Sequence, residues 1–147
     1  MTSTMKADFY ILENSNKQQA MLFACKLAEK AHAGNEKMYI HTTSADEAEK
    51  LDKLLWTYRD DSFLPHELVS ADSIAPILIG HTIPANNMTG TLLNFHREIP
   101  AFYTQFNHII EIVHNDPSVQ QLARERFRQY RDAGIAINTH KLKASDL

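Results

Sequence analysis

Apolar and polar positions alternate along this chain with two different periods. The run ADFYIL at residues 7–12 is typical of a short buried strand, and the polar turn ENSN follows it. Apolar residues then recur with helical spacing until a stop signal at Gly34 and Asn35. The apolar face of this predicted helix consists of Ala20, Phe23, Ala24, Leu27 and Ala31.

The strand and helix pattern repeats in the next segment. KMYIH at residues 37–41 predicts a second strand, and Ser44 with Glu47 predicts a capping box that opens a second helix. Further strands are predicted for the apolar runs at residues 76–81, 90–96 and 108–114. Such alternation favours a single α/β domain over residues 1–147, with a mostly parallel sheet and helices on both faces.

The last predicted helix has start and stop signals of its own. Asp116 is a suitable N-cap, Pro117 occupies the first helical position, and Gly134 follows the end. Flexible or extended ends are predicted for residues 1–5 and about 138–147.

Charge and composition narrow the functional classes. The net charge of −3 over 147 residues argues against a protein that coats nucleic acid, although residues 116–147 carry 6 basic and 4 acidic side chains. Cys25 is the single cysteine, which excludes a disulfide framework and favours a buried thiol. No apolar run approaches the roughly 20 residues of a membrane span, and the N-terminal stretch MTSTMKADFY shows no apolar signal segment. We therefore expect a cytoplasmic protein without a membrane partner.

Enzymatic and metal-binding motifs are missing from the sequence. The four glycines form neither G-x-G-x-x-G nor a P-loop, and the eight histidines match no zinc-binding spacing. Ser62 near His66 has no nucleophile-elbow motif around it. We assign no catalytic residue, metal or cofactor. The alternative is an enzyme that binds a nucleotide or small molecule in the crevice at the carboxyl ends of the strands.

An arginine strip occupies one face of the last predicted helix, at positions i, i+3, i+4 and i+7. We define it by Arg124, Phe127, Arg128 and Arg131. The opposite face is apolar, with Arg126 as a partly buried or snorkelling side chain. The strip is either a solvated basic face, with Phe127 at the edge of the core, or a pocket for an anion that carries an apolar group. An acidic peptide and a phosphate backbone both suit such a pocket, and direct binding of single-stranded DNA is a third reading.

A second segment, LLWTYRDDSFLPHEL at residues 54–68, groups large apolar side chains around an acidic turn. These side chains either cap the core or form a protein interface, since aromatic anchors dominate binding energy where they are desolvated. Periodicity leaves both readings open.

Several of these segments resemble one known family, the chi subunit of the bacterial DNA polymerase III clamp-loader assembly. The matching stretches are ADFYIL, LDKLLW, SFLPHEL and QLARERFRQYRDAGIAINT, in the family's order and spacing over nearly the whole chain. The resemblance implies a non-enzymatic adaptor with a Rossmann-like domain that lacks a nucleotide site. The four residues before Met5 imply either a natural start at Met5 or a variable terminus.

The resemblance also implies partners and their binding residues. One surface would capture the acidic C-terminal tail of single-stranded DNA-binding protein, which ends in Pro-Phe, so that DNA is contacted only indirectly. Residues at the matching positions are Val113, Gln120, Arg124, Phe127 and Arg128. Gln120 replaces a lysine of some members, and Phe127 lacks the hydroxyl of a family tyrosine. Helical spacing suggests that Arg131 compensates for Gln120.

A second surface would bind the psi subunit, which tethers chi to the clamp loader, and a repair helicase is a further candidate for the same surface. Trp56 and Phe63 stand at the family's aromatic positions, and Leu64, Pro65 and His66 lie beside them in the expected psi-binding surface. The implied location is the bacterial cytoplasm, at replication forks.

Overall fold

Strands and helices alternate in the computed structural model, which describes residues 5–58, 64–70, 73–84, 88–143 and 145. The strands within these ranges are β1 Lys6–Glu13, β2 Met38–His41, β3 His66–Leu68, β4 Ile77–Gly80, β5 Thr91–Asn94, β6 His108–Val113 and β7 Ala136–Lys143. The α-helices there are α1 Lys17–Ala33, α2 Ala45–Thr57 and α3 Pro117–Asp132, and a 3-10 helix covers Ala101–Gln105.

The strands form one sheet in the order β3-β4-β2-β5-β6-β1-β7. Every strand pairing in the described ranges is parallel. Buried residues of α1 and α2 pack on one face of the sheet, whereas Ala123 and Tyr130 of α3 pack with Phe9 and Ile109 on the other. The predicted α/β, Rossmann-like fold is confirmed, with a sheet that is entirely parallel in this part of the chain.

Side-chain caps explain where the helices begin. Asn16 accepts a hydrogen bond from the Gln19 N–H at 2.9 Å, and the Gln19 side chain accepts one from the Asn16 N–H. Ser44 caps α2 as predicted, but the Glu47 carboxylate accepts from the Thr43 N–H, one residue earlier than a capping box requires. Asp116 caps α3, whose Pro117 stands in the first turn.

Two strands were not predicted from the sequence. β3 has only three residues, and β7 lies where a polar, flexible or extended end was expected. β7 pairs with β1 over its full length, from Lys6 opposite Ala136 to Glu13 opposite Lys143. As an edge strand it keeps several side chains in solvent, so its composition is too polar for the apolar pattern of a buried strand. Residues 138–143 are therefore ordered by pairing with β1.

Candidate functional site

The inner face of α3 is fixed to the sheet by a buried ion pair. Arg126 donates from Nε to Glu111 Oε1 at 3.0 Å and from its guanidinium to the Arg97 carbonyl at 2.8 Å. The Tyr130 hydroxyl and the Asn94 amide donate to the other carboxylate oxygen, at 2.7 and 3.1 Å. These hydrogen bonds connect α3 to β5, β6 and the Arg97 carbonyl, so they fix the rotation of α3 about its axis.

The sequence indicated the burial of Arg126 only in part, and it did not indicate the ion pair with Glu111. Arg126 was predicted to be partly buried or snorkelling, but its side chain is almost fully buried and its charge is paired in the interior. Burial raises the pKa of Glu111, and the Arg126 charge acts in the opposite direction. An acidic residue inside the apolar run HIIEIVH, together with an arginine on the apolar face of the next helix, was the available signal.

The outer face of α3 carries the arginine strip. Arg124 and Arg128 are exposed, and neither side chain has a hydrogen bond or ion pair within the described ranges. Phe127, between them in the helical sequence, is half-buried, and its ring meets Phe9 edge to face with centroids 5.3 Å apart. The strip thus combines two unpaired guanidinium groups with an aromatic ring held on the core.

Val113 and Gln120 beside the arginine strip, and Arg131 within it, differ in exposure and in hydrogen bonding. Val113 is only 2% exposed, so its side chain lies in the core under α3. Gln120 donates to the Asn115 side chain at 3.3 Å. Arg131 lies 3.6 Å from the Asp132 carboxylate in a solvent-exposed pair, which contributes little energy and holds the arginine weakly.

The tryptophan patch lies at the other side of the sheet, where α2 ends and β3 begins; we define it by Trp56, Leu64, Pro65 and His66. Trp56 is 52% exposed, and its ring centroid lies 4.5 Å from that of His66. His66 Nδ1 donates to the Leu64 carbonyl at 2.6 Å, while Nε2 lies 3.4 Å from the Asp52 carboxylate. The imidazole ring is therefore held in place and supports the indole ring of Trp56.

Not every residue expected at this surface is accessible. Leu64 and His66 are buried, whereas Pro65 is half-buried. Phe63, the second aromatic of the expected surface, lies outside the described residues. Trp56 is consequently the large exposed anchor that the described part of this surface presents.

Other candidate chemistry finds little support in this part of the chain. Burial raises the pKa of the Cys25 thiol to about 12, which keeps it protonated and unreactive at neutral pH. Ser62, the serine near His66 in the sequence, lies outside the described residues. Within the described ranges no three His, Cys, Asp or Glu side chains are grouped to hold a metal ion. None of the helices there combines the length and apolar character needed to cross a bilayer.

The fold and these surfaces define a Rossmann-like α/β protein without a glycine-rich phosphate loop, with an arginine-bearing helix and an exposed tryptophan. Comparison with known proteins identifies the family: residues 4–138 match the model of the DNA polymerase III chi subunit, HolC. The chain belongs to this family.

Relatives of this chain support the same assignment. It is 34% identical to DNA polymerase III subunit chi of Pseudomonas aeruginosa, over 93% of this chain and 96% of that protein. The subunit chi of Haemophilus influenzae is 31% identical (92% and 96% covered), and that of Escherichia coli is 28% identical (90% and 95% covered).

A solved structure shares the fold at low sequence identity. The crystal structure of T4 UvsW superposes with a TM-score of 0.67 at 11% identity, over 98% of this chain and 42% of that one. At this identity the likeness concerns the fold alone.

Proposed function

We propose that this chain is a non-catalytic adaptor of a bacterial DNA polymerase III assembly, acting in the cytoplasm at replication forks. Its membership of the chi family supports a place in that assembly. The arginine strip and the tryptophan patch lie on different elements, α3 and the α2–β3 region, and suit two different partners. One is the acidic tail of single-stranded DNA-binding protein, and the other is the psi subunit.

The observation that carries tail capture is the half-buried ring of Phe127 between the unpaired guanidinium groups of Arg124 and Arg128. The guanidinium groups would bind the terminal carboxylate of the tail, and charge-assisted hydrogen bonds of this kind contribute about 1.5–3 kcal/mol each. The Phe127 ring, held in place by Phe9, would pack against the terminal phenylalanine of the tail.

Neighbouring residues have supporting roles in this proposal. Gln120 contributes a neutral hydrogen bond where a lysine would contribute charge, and Arg131 extends the positive field along the helix. Val113 supports the pocket from within the core, since its burial leaves little surface for a ligand. Arg126 contributes through its pair with Glu111, which directs the strip towards solvent.

Tail capture can be measured by fluorescence anisotropy with a labelled acidic peptide ending in Pro-Phe. We expect micromolar affinity, and we expect Arg124→Ala and Phe127→Ala each to weaken binding by about tenfold or more, equivalent to at least about 1.4 kcal/mol. Lys53→Ala, which removes an exposed charge from α2, is the matched control and should bind normally. Equal losses in Arg124→Ala and Lys53→Ala would show only a general charge effect and would refute the proposed site.

For psi, the supporting observation is that Trp56 is 52% exposed and packs on the fixed imidazole ring of His66. An indole that is already held in position loses little conformational entropy on binding, and desolvated tryptophans are the commonest hot spots of protein interfaces. Pro65 would extend the contact, with Leu64 and His66 supporting it from below; Phe63 belongs to the proposed surface by its sequence position. A repair helicase is proposed as an alternative partner for the same surface.

Calorimetric titration with purified psi tests this docking surface. Trp56→Ala should weaken binding by about 2 kcal/mol or more, roughly 30-fold. Leu122→Ala truncates an apolar side chain of similar accessibility on α3 and should leave the affinity within about twofold. If Trp56→Ala binds psi with normal affinity, psi does not use this surface. The tail-binding result would not be affected.

A further inference from the structure

An open cavity of about 1090 Å³ lies at the end of the sheet where the strands begin. Its walls include the first residues of four strands, Lys6, Met38, Thr91 and His108, and the C-terminal end of α1. Neither the arginine strip nor the tryptophan patch contributes to its lining. We call it the basal cavity.

A buried carboxylate organises one wall of the basal cavity. Asp8 on β1 accepts hydrogen bonds from Nε2 of His108 on β6, at 2.5 Å, and from Nε2 of His140 on β7, at 2.9 Å. Burial alone would raise the pKa of Asp8, but the bonds from His140 and His108 outweigh it and lower that pKa below its usual value. The carboxylate therefore stays ionised at neutral pH and orients both imidazole rings.

This orientation leaves the Nδ1 edges of both rings for other contacts. His108 Nδ1 lies 3.4 Å from the Thr91 hydroxyl, whereas His140 Nδ1 has no hydrogen-bond partner in the described part of the chain. The His140 ring stacks on Tyr10 with centroids 4.7 Å apart and 20° between the planes. His140 therefore covers one face of Tyr10, and Nδ1 of the neutral His140 ring is a hydrogen-bond acceptor because Nε2 donates to Asp8.

Three lysines add positive charge to the rim. Lys6, Lys30 and Lys37 are exposed and form no ion pair within the described residues, while the lining carries two carboxylates, Glu36 and the histidine-bound Asp8. The carbonyls at the end of α1 are already occupied, because the Gly34 N–H donates to Lys30 O at 3.1 Å and the Glu36 N–H to Ala31 O at 2.8 Å. These bonds partly offset the negative partial charge at the C-terminal end of α1. The positive charge of the lysines is therefore less opposed where an anion would bind.

The rim is also held in place. Gly90 has a φ of +106°, and a Cβ added there would lie 2.3 Å from the Lys37 carbonyl oxygen. The Thr91 N–H donates to that same oxygen at 2.9 Å. The backbone that carries Lys37 is thus fixed against β5 by a contact that only glycine permits.

We propose that the basal cavity binds a phosphate ester with an aromatic or apolar organic group. Lys30 and Lys37 hold the phosphate, His140 Nδ1 accepts a hydrogen bond from a hydroxyl group of the ligand, and the organic group lies against Tyr10, Leu27 and Ile110 on the cavity floor. Ammonium groups attract the phosphate charge, and the ring nitrogen gives direction to the hydroxyl contact. A free nucleotide and the terminal phosphate of a DNA strand both present this chemistry. The site lies at the opposite end of the sheet from the crevice that α/β proteins commonly use for nucleotides.

The first test compares deoxythymidine monophosphate with thymidine, which lacks the phosphate, by following the imidazole resonances of His108 and His140 in NMR titrations of the full chain. The monophosphate should shift the His140 resonances with a Kd of about 1 mM or less, and thymidine should bind at least about tenfold more weakly. Equal binding of the two compounds, or no shift with either, would overturn the proposal.

Lysine variants provide the matched comparison. Lys30→Ala with Lys37→Ala should reduce monophosphate affinity by about tenfold or more, whereas Lys26→Ala, an exposed lysine of α1 outside the cavity, should retain it. All three lysines are exposed, so a folding defect is not expected to obscure the result. Equal losses for both variants would overturn the site.

A third titration uses 5′-phosphorylated and unphosphorylated oligothymidylates to separate the two sources of phosphate. Tighter binding of the phosphorylated strand than of the mononucleotide supports a strand end as the ligand, and the reverse order supports a free nucleotide. Identical binding of the two oligonucleotides, together with failure of the mononucleotide, would refute the proposal.

Discussion

At the scale of single residues, His41 is a buried histidine without a full set of hydrogen bonds. It is 6% exposed at the end of β2, and its Nδ1 has no partner in the described part of the chain. Its ring stacks on His96, with centroids 5.2 Å apart, and meets Phe102 edge to face. Burial, followed by the charges of His96 and His81, lowers the pKa of His41 from 6.5 to about 4.

This shift predicts a pH-dependent stability. Below about pH 6.5 the unfolded chain binds a proton at His41 that the folded chain does not accept until about pH 4, so the free energy of unfolding falls as the pH falls through this window. The loss attributable to His41 is about 3 kcal/mol by pH 4. Urea unfolding of wild type and His41→Gln between pH 7 and 4 measures it.

The variant should lack this part of the slope, so its stability relative to wild type should improve as the pH falls. His32→Gln replaces a histidine of α1 outside this cluster and serves as control. Parallel pH curves for wild type and His41→Gln would mean that His41 is not kept neutral by its surroundings.

At the scale of elements, the Arg126–Glu111 pair determines how α3 sits on the sheet. Removing one partner of a buried ion pair leaves an uncompensated charge and costs about 3–5 kcal/mol. We therefore expect Arg126→Met to lower the free energy of unfolding by about that amount, measured by urea denaturation at neutral pH. Arg131→Met, which breaks only the exposed pair with Asp132, should cost less than about 1 kcal/mol.

A double variant separates charge from packing. Adding Glu111→Gln to Arg126→Met removes the lone buried carboxylate while keeping a side chain that can bond Tyr130 and Asn94, so part of the stability should return. If the double variant is less stable than Arg126→Met alone, the interior does not penalise the unpaired carboxylate and the proposed anchor is wrong.

Elements with strong local signals could be predicted from the sequence. α1 and α3 have side-chain caps and helical apolar periodicity, and β1 and β6 are mostly apolar runs with one acidic residue inside each, so local residues alone indicate them. β3 and β7 lack such signals, because β3 is three residues long and β7 alternates between half-buried and exposed positions. Their pairing depends on β4 and β1, which local patterns do not reveal.

The same division applies to the candidate sites. Helical spacing placed Arg124, Phe127 and Arg128 on one stripe, and in the structure the two arginines are exposed while Phe127 is half-buried against Phe9. Val113 and His66 were assigned to the two surfaces by the family resemblance, which carries no information on burial depth, and both side chains are buried in the structure. The Asp8 cluster joins Asp8 to residues 100 and 132 positions further along the sequence, and only the sheet order brings them together.

At the scale of the whole molecule, the proposed adaptor function requires this chain to bind two partners at the same time. The strip lies on α3, which packs on one face of the sheet, and Trp56 lies on α2, which packs on the other. Separate surfaces allow both partners to bind together, and the second interaction then becomes intramolecular.

Simultaneous binding is the most direct test of the adaptor claim. The labelled Pro-Phe tail peptide would be titrated with this chain by fluorescence anisotropy, alone and with saturating psi, and the mass of the complex would be checked by sedimentation velocity. We predict that the Kd for the peptide changes by less than about twofold and that the peptide sediments with both proteins. Displacement of the peptide by psi, or failure of the peptide to bind either form, would contradict the claim that this chain links the two partners.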